Sequence, residues 1–114
     1  MFKIFKKIFN RKSETDFTQL LRNGAQIVDV RTREEYRSGH INEAINVPLQ
    51  ELTNDTSKIK KTVPVITCCA SGMRSTSAKN FLQSKGFEEV YNGGNWTTLQ
   101  LKIKGKPQKP RQRK

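Results

Sequence analysis

Two adjacent cysteines are the residues of this sequence best suited to covalent chemistry. Cys68 and Cys69 are the only cysteines in the 114 residues, and they lie inside the stretch ITCCASGMRS (66–75). Adjacent cysteines rarely form a disulfide, because the ring that they close requires a strained peptide. Two thiols and a single histidine are too few for a tetrahedral zinc site built from one chain. We therefore expect no metal and no cofactor, which leaves a buried inert pair or a nucleophilic thiol.

The residues after the cysteines are suited to binding an anion. Ala70, Ser71 and Gly72 are small enough to let the backbone approach one point closely, and a helix is predicted just after them. A helix N-terminus presents unpaired N–H groups and the positive end of a dipole. Such a loop can hold a phosphate or a thiolate, and a cysteine at its mouth is expected to have a lowered pKa. The competing interpretation is a small buried thiol at a strand end.

Strand and helix signals alternate along the chain. Apolar runs predict strands, and amphipathic runs bounded by capping residues and glycines predict helices. The predicted caps are Thr15 or Asp16 for the first helix and Thr32 for the second. The predicted strands cover residues 25–30, 44–48, 64–69 and 88–92, and the predicted helices cover 15–24, 32–39 and 75–86. Residues 95–103 are predicted to form a final helix or turn. Residues 49–61 are predicted to be irregular apart from one helical turn. This alternation implies a parallel α/β sheet covered on both faces, with its site outside the carboxyl ends of the strands.

The charge of the chain is concentrated at its two ends. The formal net charge is +12, and residues 1–12 hold five of the lysines and arginines while residues 102–114 hold seven, so residues 13–101 have no net charge. A nucleic-acid-binding domain would instead carry its cations on one face of the fold. We predict a basic amphipathic segment at 1–12, a globular domain at 13–103 and a disordered basic tail at 104–114.

The two ends are predicted to make weak contacts with anionic partners. Five large apolar residues of segment 1–12 fall on one side of a helical projection, which favours contact with an anionic membrane surface. The competing interpretation is that this side packs on the domain. The tail favours a tether to anionic lipid or RNA, or a solubilising role. The N-terminus lacks the pattern of a signal peptide, so we expect a cytoplasmic location, with peripheral membrane contact through the basic ends. We also expect a monomer.

Three motifs resemble signatures of the rhodanese domain family and occur in the family's order. They are DVRTREEYRSGHINEAINVPL (29–49), CASGMRS (69–75) and VYNGGNW (90–96). The tryptophan follows the paired glycine by a shorter gap than is usual in the family, which leaves the start of the last helix open. The resemblance implies a rhodanese-like fold of five parallel strands with helices on both faces. It also implies sulfur transfer through a cysteine persulfide, from thiosulfate or a persulfide to cyanide, a thiol or a sulfur-carrier protein.

The resemblance also implies which cysteine reacts. Counted from Cys69 to Arg74 the loop has six residues, the length that the family uses for sulfur, so Cys69 is the implied nucleophile. Counted from Cys68 the loop has seven, as in rhodanese-fold phosphatases and arsenate reductases, which is the alternative function. A further alternative is a sulfur carrier or docking module without turnover. The implied cradle consists of the backbone N–H groups of Ala70, Ser71, Gly72, Met73 and Arg74.

The roles of the remaining motif residues are interpreted as mainly structural. Neighbouring residues of a strand point to opposite faces, so only one cysteine lines the cradle, and Cys68 is expected in the core unless it acts as a resolving thiol. Arg74 either adds positive charge for an anionic donor or braces the loop. The expected ionic brace between the first strand and the next turn consists of Asp29, Arg31 and Glu35. His40 is expected to be structural, and Trp96 to lie in the core or to form a wall near the cradle.

Overall fold

The computed structural model describes residues 15–104. The predicted amphipathic segment 1–12 lies outside these residues, and so does the predicted tail after its first residue. That first residue, Lys104, is instead the last residue of a helix, so the described part of the chain ends one residue into the predicted tail.

Four strands form one parallel sheet in the described part of the chain. They are β1 (Gln26–Asp29), β2 (Ile45–Asn46), β3 (Val65–Cys69) and β4 (Val90–Asn95). Their order is β2-β1-β3-β4, and each neighbouring pair is parallel. Strand β3 therefore has a partner on each side, and all of its residues are buried. Because the strands are parallel, their carboxyl ends meet at one edge of the sheet, and Cys69 is the last residue of β3.

Five helices connect and cover the strands within residues 15–104. They are α1 (Phe17–Arg22), α2 (Arg33–Arg37), α3 (Leu49–Leu52), α4 (Met73–Ser84) and α5 (Trp96–Lys104). Two begin at predicted capping residues: the Asp16 carboxylate accepts the Gln19 N–H at 3.0 Å, and Thr32 and Glu35 form a reciprocal capping box. The last helix begins at Trp96 itself. This is the helix start that the sequence alone left open, because of the short gap after the paired glycine.

The helices lie on both faces of the sheet, as the alternation of elements predicted. Along β3, Val65 and Cys69 belong to an apolar cluster that includes residues of α3 and α4. Ile66 and Cys68 belong to a second cluster that includes residues of α1 and α5. Since successive residues of a strand point to opposite faces, each face of the sheet is covered by its own helices. This confirms the predicted fold class and the prediction that the two cysteines point to opposite faces.

The family resemblance implied a fifth strand, and residues 15–104 do not contain one. Their longest stretch without a strand or a helix is 53–64, which forms turns and bends and fully buries only Ile59. Most of its other residues are Thr, Asn, Asp, Ser and Lys. Such residues favour turns and exposed backbone over a strand buried within a sheet. The sheet of the described residues is therefore one strand smaller than expected.

The paired glycine of the last motif forms a bulge in β4. Asn92 pairs with Thr67 whereas Gly94 pairs with Cys68, so Gly93 is an extra residue in the ladder between β3 and β4. A bulge of this kind bends the strand and changes the direction of the side chains that follow it. Asn92 and the end of β4 are thereby brought beside the carboxyl end of β3, where the cysteines lie.

The two glycines of the bulge are required for different reasons. A Cβ at Gly93 would lie 2.8 Å from Leu99 Cδ2, 2.9 Å from Ile66 Cγ2 and 2.9 Å from the Thr67 carbonyl oxygen. A Cβ at Gly94 would meet no atom within 4 Å, but Gly94 has a φ of +76°, in the left-handed region that disfavours side chains. Gly93 is needed for close packing, and Gly94 is needed for the backbone conformation.

We predict that Gly93→Ala destabilises the fold more than Gly94→Ala does. The added methyl of Gly93→Ala meets the backbone of β3, which is held between two strands, so overpacking of about 3 kcal/mol is expected. Gly94→Ala only places a side chain on a residue with a left-handed backbone, which should lower the free energy of unfolding by about 1 kcal/mol. The measurement is urea unfolding of both variants and the wild type. An equal or smaller loss for Gly93→Ala would contradict the close packing around the bulge.

Candidate active site

The loop that follows β3 turns the chain back over the last residue of the strand. Cys69 ends β3, and Gly72 is the residue before α4. Gly72 has a φ of 101°, a left-handed conformation that a residue with a side chain rarely adopts. This turn aims the Gly72 N–H and the first turn of α4 at the Cys69 side chain. The predicted arrangement of a cysteine in front of a helix N-terminus is therefore present.

Three polar groups contact the Cys69 sulfur. The Gly72 N–H donates to Sγ at 2.9 Å, and the Ser75 N–H donates to it at 3.3 Å. The Cys69 thiol in turn donates to the Ser75 hydroxyl oxygen at 3.5 Å. Both amides lie at the start of α4, where backbone N–H groups have no partner within the helix. The sulfur therefore satisfies donors that the helix leaves free, and these donors favour a negative charge on it.

The two cysteines have opposite electrostatic environments. Burial raises the pKa of the Cys69 thiol, but hydrogen bonds from the Ser75 hydroxyl and from the Ser75, Gly72 and Ser71 amides outweigh it, so this pKa lies below its ordinary value. Burial raises the pKa of the Cys68 thiol far above its ordinary range, and the nearby Asp29 carboxylate raises it further. Because the thiolate is the nucleophilic form of cysteine, the environment of Cys69 suits a reactive thiol and that of Cys68 suits a core residue.

The residues predicted to line the cradle contribute in different ways. Gly72 places its amide on the sulfur, whereas the Met73 amide donates to Ser71 Oγ at 3.4 Å. The Ala70 carbonyl oxygen faces β4 and accepts a hydrogen bond there. The Met73 side chain is 74% exposed. The loop therefore holds the sulfur through its backbone, with Ala70, Ser71 and Met73 exposed to solvent.

Arg74 braces the loop against α2. Its guanidinium donates to both carboxylate oxygens of Glu35, at 2.8 and 3.1 Å. The hydrogen bond from Arg74 is the main reason that the pKa of Glu35 falls from 4.5 to about 2. The Arg74 charge is thus matched by a partner that is ionised at neutral pH. This geometry supports the second of the two predicted roles of Arg74, a brace for the loop.

The predicted brace of Asp29, Arg31 and Glu35 is in fact two separate ion pairs, because Glu35 turns toward Arg74. Asp29 and Arg31 are both buried, and the Arg31 guanidinium donates to both Asp29 carboxylate oxygens, with the shortest contact at 2.7 Å. Arg31 also donates to the Gly39 carbonyl at 2.7 Å. This pair ties the end of β1 to the chain that follows α2.

Trp96 and His40 make contacts that agree with structural roles. The Arg31 guanidinium lies 4.6 Å from the centre of the Trp96 ring, and Trp96 packs against the apolar cluster below α1 and α5. His40 Nδ1 lies 2.7 Å from the Tyr36 carbonyl oxygen, and its ring stacks on the Tyr36 ring with centroids 3.7 Å apart. None of these contacts reaches the sulfur of Cys69.

Three polar residues that the sequence did not single out complete the site. Ser75 contacts the sulfur with its amide and its hydroxyl, and that hydroxyl donates to Asn92 Oδ1 at 2.6 Å. Asn95 Nδ2 donates to the Ala70 carbonyl at 2.7 Å. The two asparagines flank the paired glycine of VYNGGNW. Their position at the carboxyl end of a strand beside the cysteine strand was a readable signal, since such ends meet at one edge of a parallel sheet.

The sulfur is covered in this conformation. Cys69 has 0% exposed surface, although most of the loop that covers it is exposed. A reagent or a substrate therefore reaches Sγ only when the atoms that cover it are displaced. In the described residues, no group of three or more His, Cys, Asp or Glu side chains could hold a metal ion. Within the same residues, no helix is long and apolar enough to cross a membrane.

Comparison with known proteins identifies the family. Residues 13–94 match the Rhodanese-like domain. This chain belongs to the rhodanese-like domain family. It is 35% identical over 101 residues to the uncharacterized protein YqhL of Bacillus subtilis, a match that covers 88% of this chain and 79% of YqhL. It is 35% identical over 81 residues to the thiosulfate sulfurtransferase PspE of Escherichia coli, covering 68% of this chain and 78% of PspE.

A solved structure supports the same assignment. The rhodanese with anions from E. coli superposes with a TM-score of 0.59 and 33% sequence identity. The match covers 65% of this chain and 89% of that rhodanese. The resemblance of the three sequence motifs to the rhodanese family is therefore confirmed by sequence and by fold.

Glu35→Gln is expected to weaken the brace between α2 and the cysteine loop in a pH-dependent way. Glutamine keeps the capping box but removes the charge paired with Arg74. Since both side chains are about one-third exposed, the loss in the free energy of unfolding at neutral pH should be below about 1 kcal/mol. The folded-state pKa of Glu35 is depressed, so its stabilising contribution is complete above 4.5 and is lost as the pH falls toward about 2.

Urea unfolding of the wild type and of Glu35→Gln at neutral and acidic pH measures this loss. Glu51→Gln is a matched control, because Glu51 pairs with Arg33 on the surface, away from the loop. A difference between wild type and Glu35→Gln that stays constant across the acidic range would contradict the ion pair.

In the folded protein, Cys69 should be alkylated by iodoacetamide and Cys68 should not. The rate at Cys69 should reach half of its maximum at a pH below that of a free cysteine, because its hydrogen-bond donors favour the thiolate. Peptide mapping locates the adduct, and unfolded protein, in which both cysteines react, is the control. An adduct on Cys68 of the folded protein, or a midpoint at Cys69 equal to that of a free thiol, would contradict this assignment.

Proposed function

We propose that this rhodanese-like protein is a sulfurtransferase that carries a sulfane sulfur on Cys69. The observation that carries the proposal is the pair of amides, from Gly72 and Ser75, that donate to the Cys69 sulfur at 2.9 and 3.3 Å. Such donors stabilise a thiolate before the reaction and a terminal persulfide sulfur after it. The similarity to a thiosulfate sulfurtransferase of E. coli supports the same reaction class.

The first half-reaction loads the sulfur. The Cys69 thiolate attacks the outer sulfur of thiosulfate, a new S–S bond forms, and the original S–S bond breaks with its electron pair leaving on sulfite. With an organic persulfide as donor, the same attack releases the donor's thiolate and leaves the transferred sulfur on Cys69. In both cases the product is a cysteine persulfide, and no outside oxidant or reductant is required.

The second half-reaction unloads the sulfur. An acceptor nucleophile attacks the outer sulfur of the Cys69 persulfide, and the S–S bond breaks with its electron pair returning to Cys69 as the thiolate. Cyanide gives thiocyanate, and a thiol gives a new persulfide, on a small molecule or on a sulfur-carrier protein. Because the donor product leaves before the acceptor reacts, ping-pong kinetics are expected. The partners are thus a small-molecule sulfur donor and a thiol acceptor.

The geometry argues against the longer loop that begins at Cys68. In a phosphatase or arsenate reductase of this fold, Cys68 would have to face the loop N–H groups. Cys68 instead belongs to the cluster that includes residues of α1 and α5, and the Gly72 and Ser75 amides are directed at Cys69. A carrier module without turnover uses the same persulfide, so catalytic turnover is what separates it from the enzyme.

Contact of residues 1–12 or of the tail with anionic lipid or RNA stays a prediction.

Cys69→Ser is expected to abolish sulfur transfer from thiosulfate to cyanide, whereas Cys68→Ala should keep most of it. Alanine is the better control at position 68, because a serine would bury an unpaired hydroxyl there. The measurements are thiocyanate formation and mass spectrometry of the protein after thiosulfate, which should show a one-sulfur adduct on Cys69. Activity in Cys69→Ser together with an inactive, folded Cys68→Ala would overturn the proposal. A one-sulfur adduct without repeated turnover would instead favour the carrier module.

A further inference from the structure

The Ser75 hydroxyl has more acceptors around it than it can serve. Its oxygen lies 2.6 Å from Asn92 Oδ1, 3.1 Å from the Gly72 carbonyl oxygen and 3.5 Å from Cys69 Sγ. A serine hydroxyl has one proton to donate and two lone pairs with which to accept. The direction of that proton decides whether the Cys69 sulfur meets a hydrogen-bond donor or a lone pair.

The neighbours of Ser75 determine where its proton points. The Gly94 N–H can only donate, and it donates to Asn92 Oδ1 at 2.9 Å. Asn92 Nδ2 donates to Thr76 Oγ1 at 2.7 Å on the other side. The amide orientation of Asn92 is therefore fixed, and the atom that faces Ser75 is an acceptor.

The other oxygen acceptor near the Ser75 hydroxyl is already occupied. The Gly72 carbonyl accepts the Thr76 hydroxyl at 2.7 Å and the Thr76 N–H at 3.1 Å. Both lone pairs of that carbonyl are thus in use. The Ser75 proton accordingly points to Asn92, and a Ser75 lone pair accepts the Cys69 thiol.

We propose that Asn92 is a positioning residue that acts on Cys69 through Ser75. While Cys69 is a thiol, Asn92 holds the Ser75 proton away from the sulfur. When Cys69 becomes an anion, the Ser75 hydroxyl has to leave Asn92 in order to donate to the sulfur. Asn92 Oδ1 then keeps the Gly94 N–H as a partner, so rotation of the Ser75 hydroxyl does not leave this oxygen without a hydrogen bond. This inference rests on the proposed role of Cys69 as the reactive thiol.

Asn92 thus competes with the sulfur anion for one hydrogen bond, and the ionised side chains nearby do not take part in this competition. The charged groups around Cys69 are Arg74 of α4 and Glu35 of α2, which pair with each other, and the buried Asp29–Arg31 pair beside Cys68. Among the described residues, none of these four forms a hydrogen bond with Asn92 or with Ser75. Replacing the neutral Asn92 therefore changes the acceptor for Ser75 and leaves the ion pairs in place.

The test is a titration of the Cys69 thiolate by its ultraviolet absorbance in the wild type, Asn92→Ala and Asn95→Ala. Asn92→Ala should raise the thiolate fraction at pH values below the wild-type midpoint, by up to about tenfold. In the variant, ionisation of Cys69 no longer breaks the hydrogen bond between Ser75 and Asn92, and one such bond contributes up to about that factor. Asn95→Ala is the matched control, because Asn95 also ties β4 to the loop but contacts the Ala70 carbonyl and not Ser75. It should not raise the thiolate fraction.

A merely structural role for Asn92 predicts the opposite sign. If Asn92 only holds the loop in place, its removal loosens the Gly72 and Ser75 amides and lowers the thiolate fraction. Asn92→Leu, which keeps the bulk of the side chain, should behave like Asn92→Ala, and thermal unfolding checks that both variants are folded. A fall or no change in the thiolate fraction in both folded variants would overturn the proposal.

A double variant isolates the route through Ser75. In a Ser75→Ala background the hydroxyl is absent, so adding Asn92→Ala should leave the titration unchanged. An equal rise with and without the hydroxyl would also overturn the proposal. The titration uses no sulfur donor, so its outcome is independent of whether the wild type transfers sulfur, and a failure of the proposed function is recognised separately by the absence of thiocyanate.

Discussion

The hydrogen bonds that converge on the Cys69 sulfur are the interactions on which the site depends. Burial alone would keep this thiol neutral, as it does at Cys68 one residue away. What differs at Cys69 is a set of donors from the loop and from the start of α4, and these outweigh the effect of burial. The donors are aimed by a left-handed glycine at position 72 and by the first turn of a helix. The environment of the Cys69 sulfur is thus set by the Ser75 hydroxyl together with the backbone geometry of the loop.

The ion pairs near the loop are arranged so that they add little net charge to it. Glu35 and Arg74 neutralise each other between α2 and α4, and Asp29 and Arg31 do so at the end of β1. The first pair connects α2 to α4, and the second connects the end of β1 to the chain that follows α2. A negative charge on the Cys69 sulfur is therefore stabilised by neutral hydrogen-bond donors. Unlike an unpaired cation, such donors do not attract anions over long distances. This arrangement suits a reaction in which the charge on one sulfur atom has to be handled at close range.

Local sequence signals predicted the elements and the cysteine loop well, and long-range contacts marked the limit of such prediction. Strand alternation alone placed Cys68 and Cys69 on opposite faces, and capping residues located the starts of α1 and α2. Glu35 was grouped with the nearer Arg31, because nothing local shows that it turns to Arg74, 39 residues away. The expected fifth strand came from the family resemblance, and the polar stretch 53–64 is unsuited to supply one.

The position of β4 beside the cysteine strand was readable, but the side-chain contacts that it makes with the site were hidden for the same reason. Asn92 contacts Ser75 across 17 residues and Asn95 contacts Ala70 across 25. Both contacts depend on the extra residue in the ladder between β3 and β4, and a register shift of one residue cannot be read from apolar periodicity, which only assigns faces. The paired glycine was visible in the sequence, but its physical role, a bulge packed against β3 and α5, required the strand pairing.

The short gap between the paired glycine and Trp96 gives one asparagine two functions. Asn95 is the last residue of β4, and its side-chain oxygen accepts the N–H groups of Thr97 and Thr98 at the start of α5. Its side-chain nitrogen donates to the Ala70 carbonyl of the cysteine loop. Asn95, which caps the start of α5, therefore also contacts the loop beside Cys69. This contact ties the position of Ala70, next to Cys69, to the junction of β4 and α5.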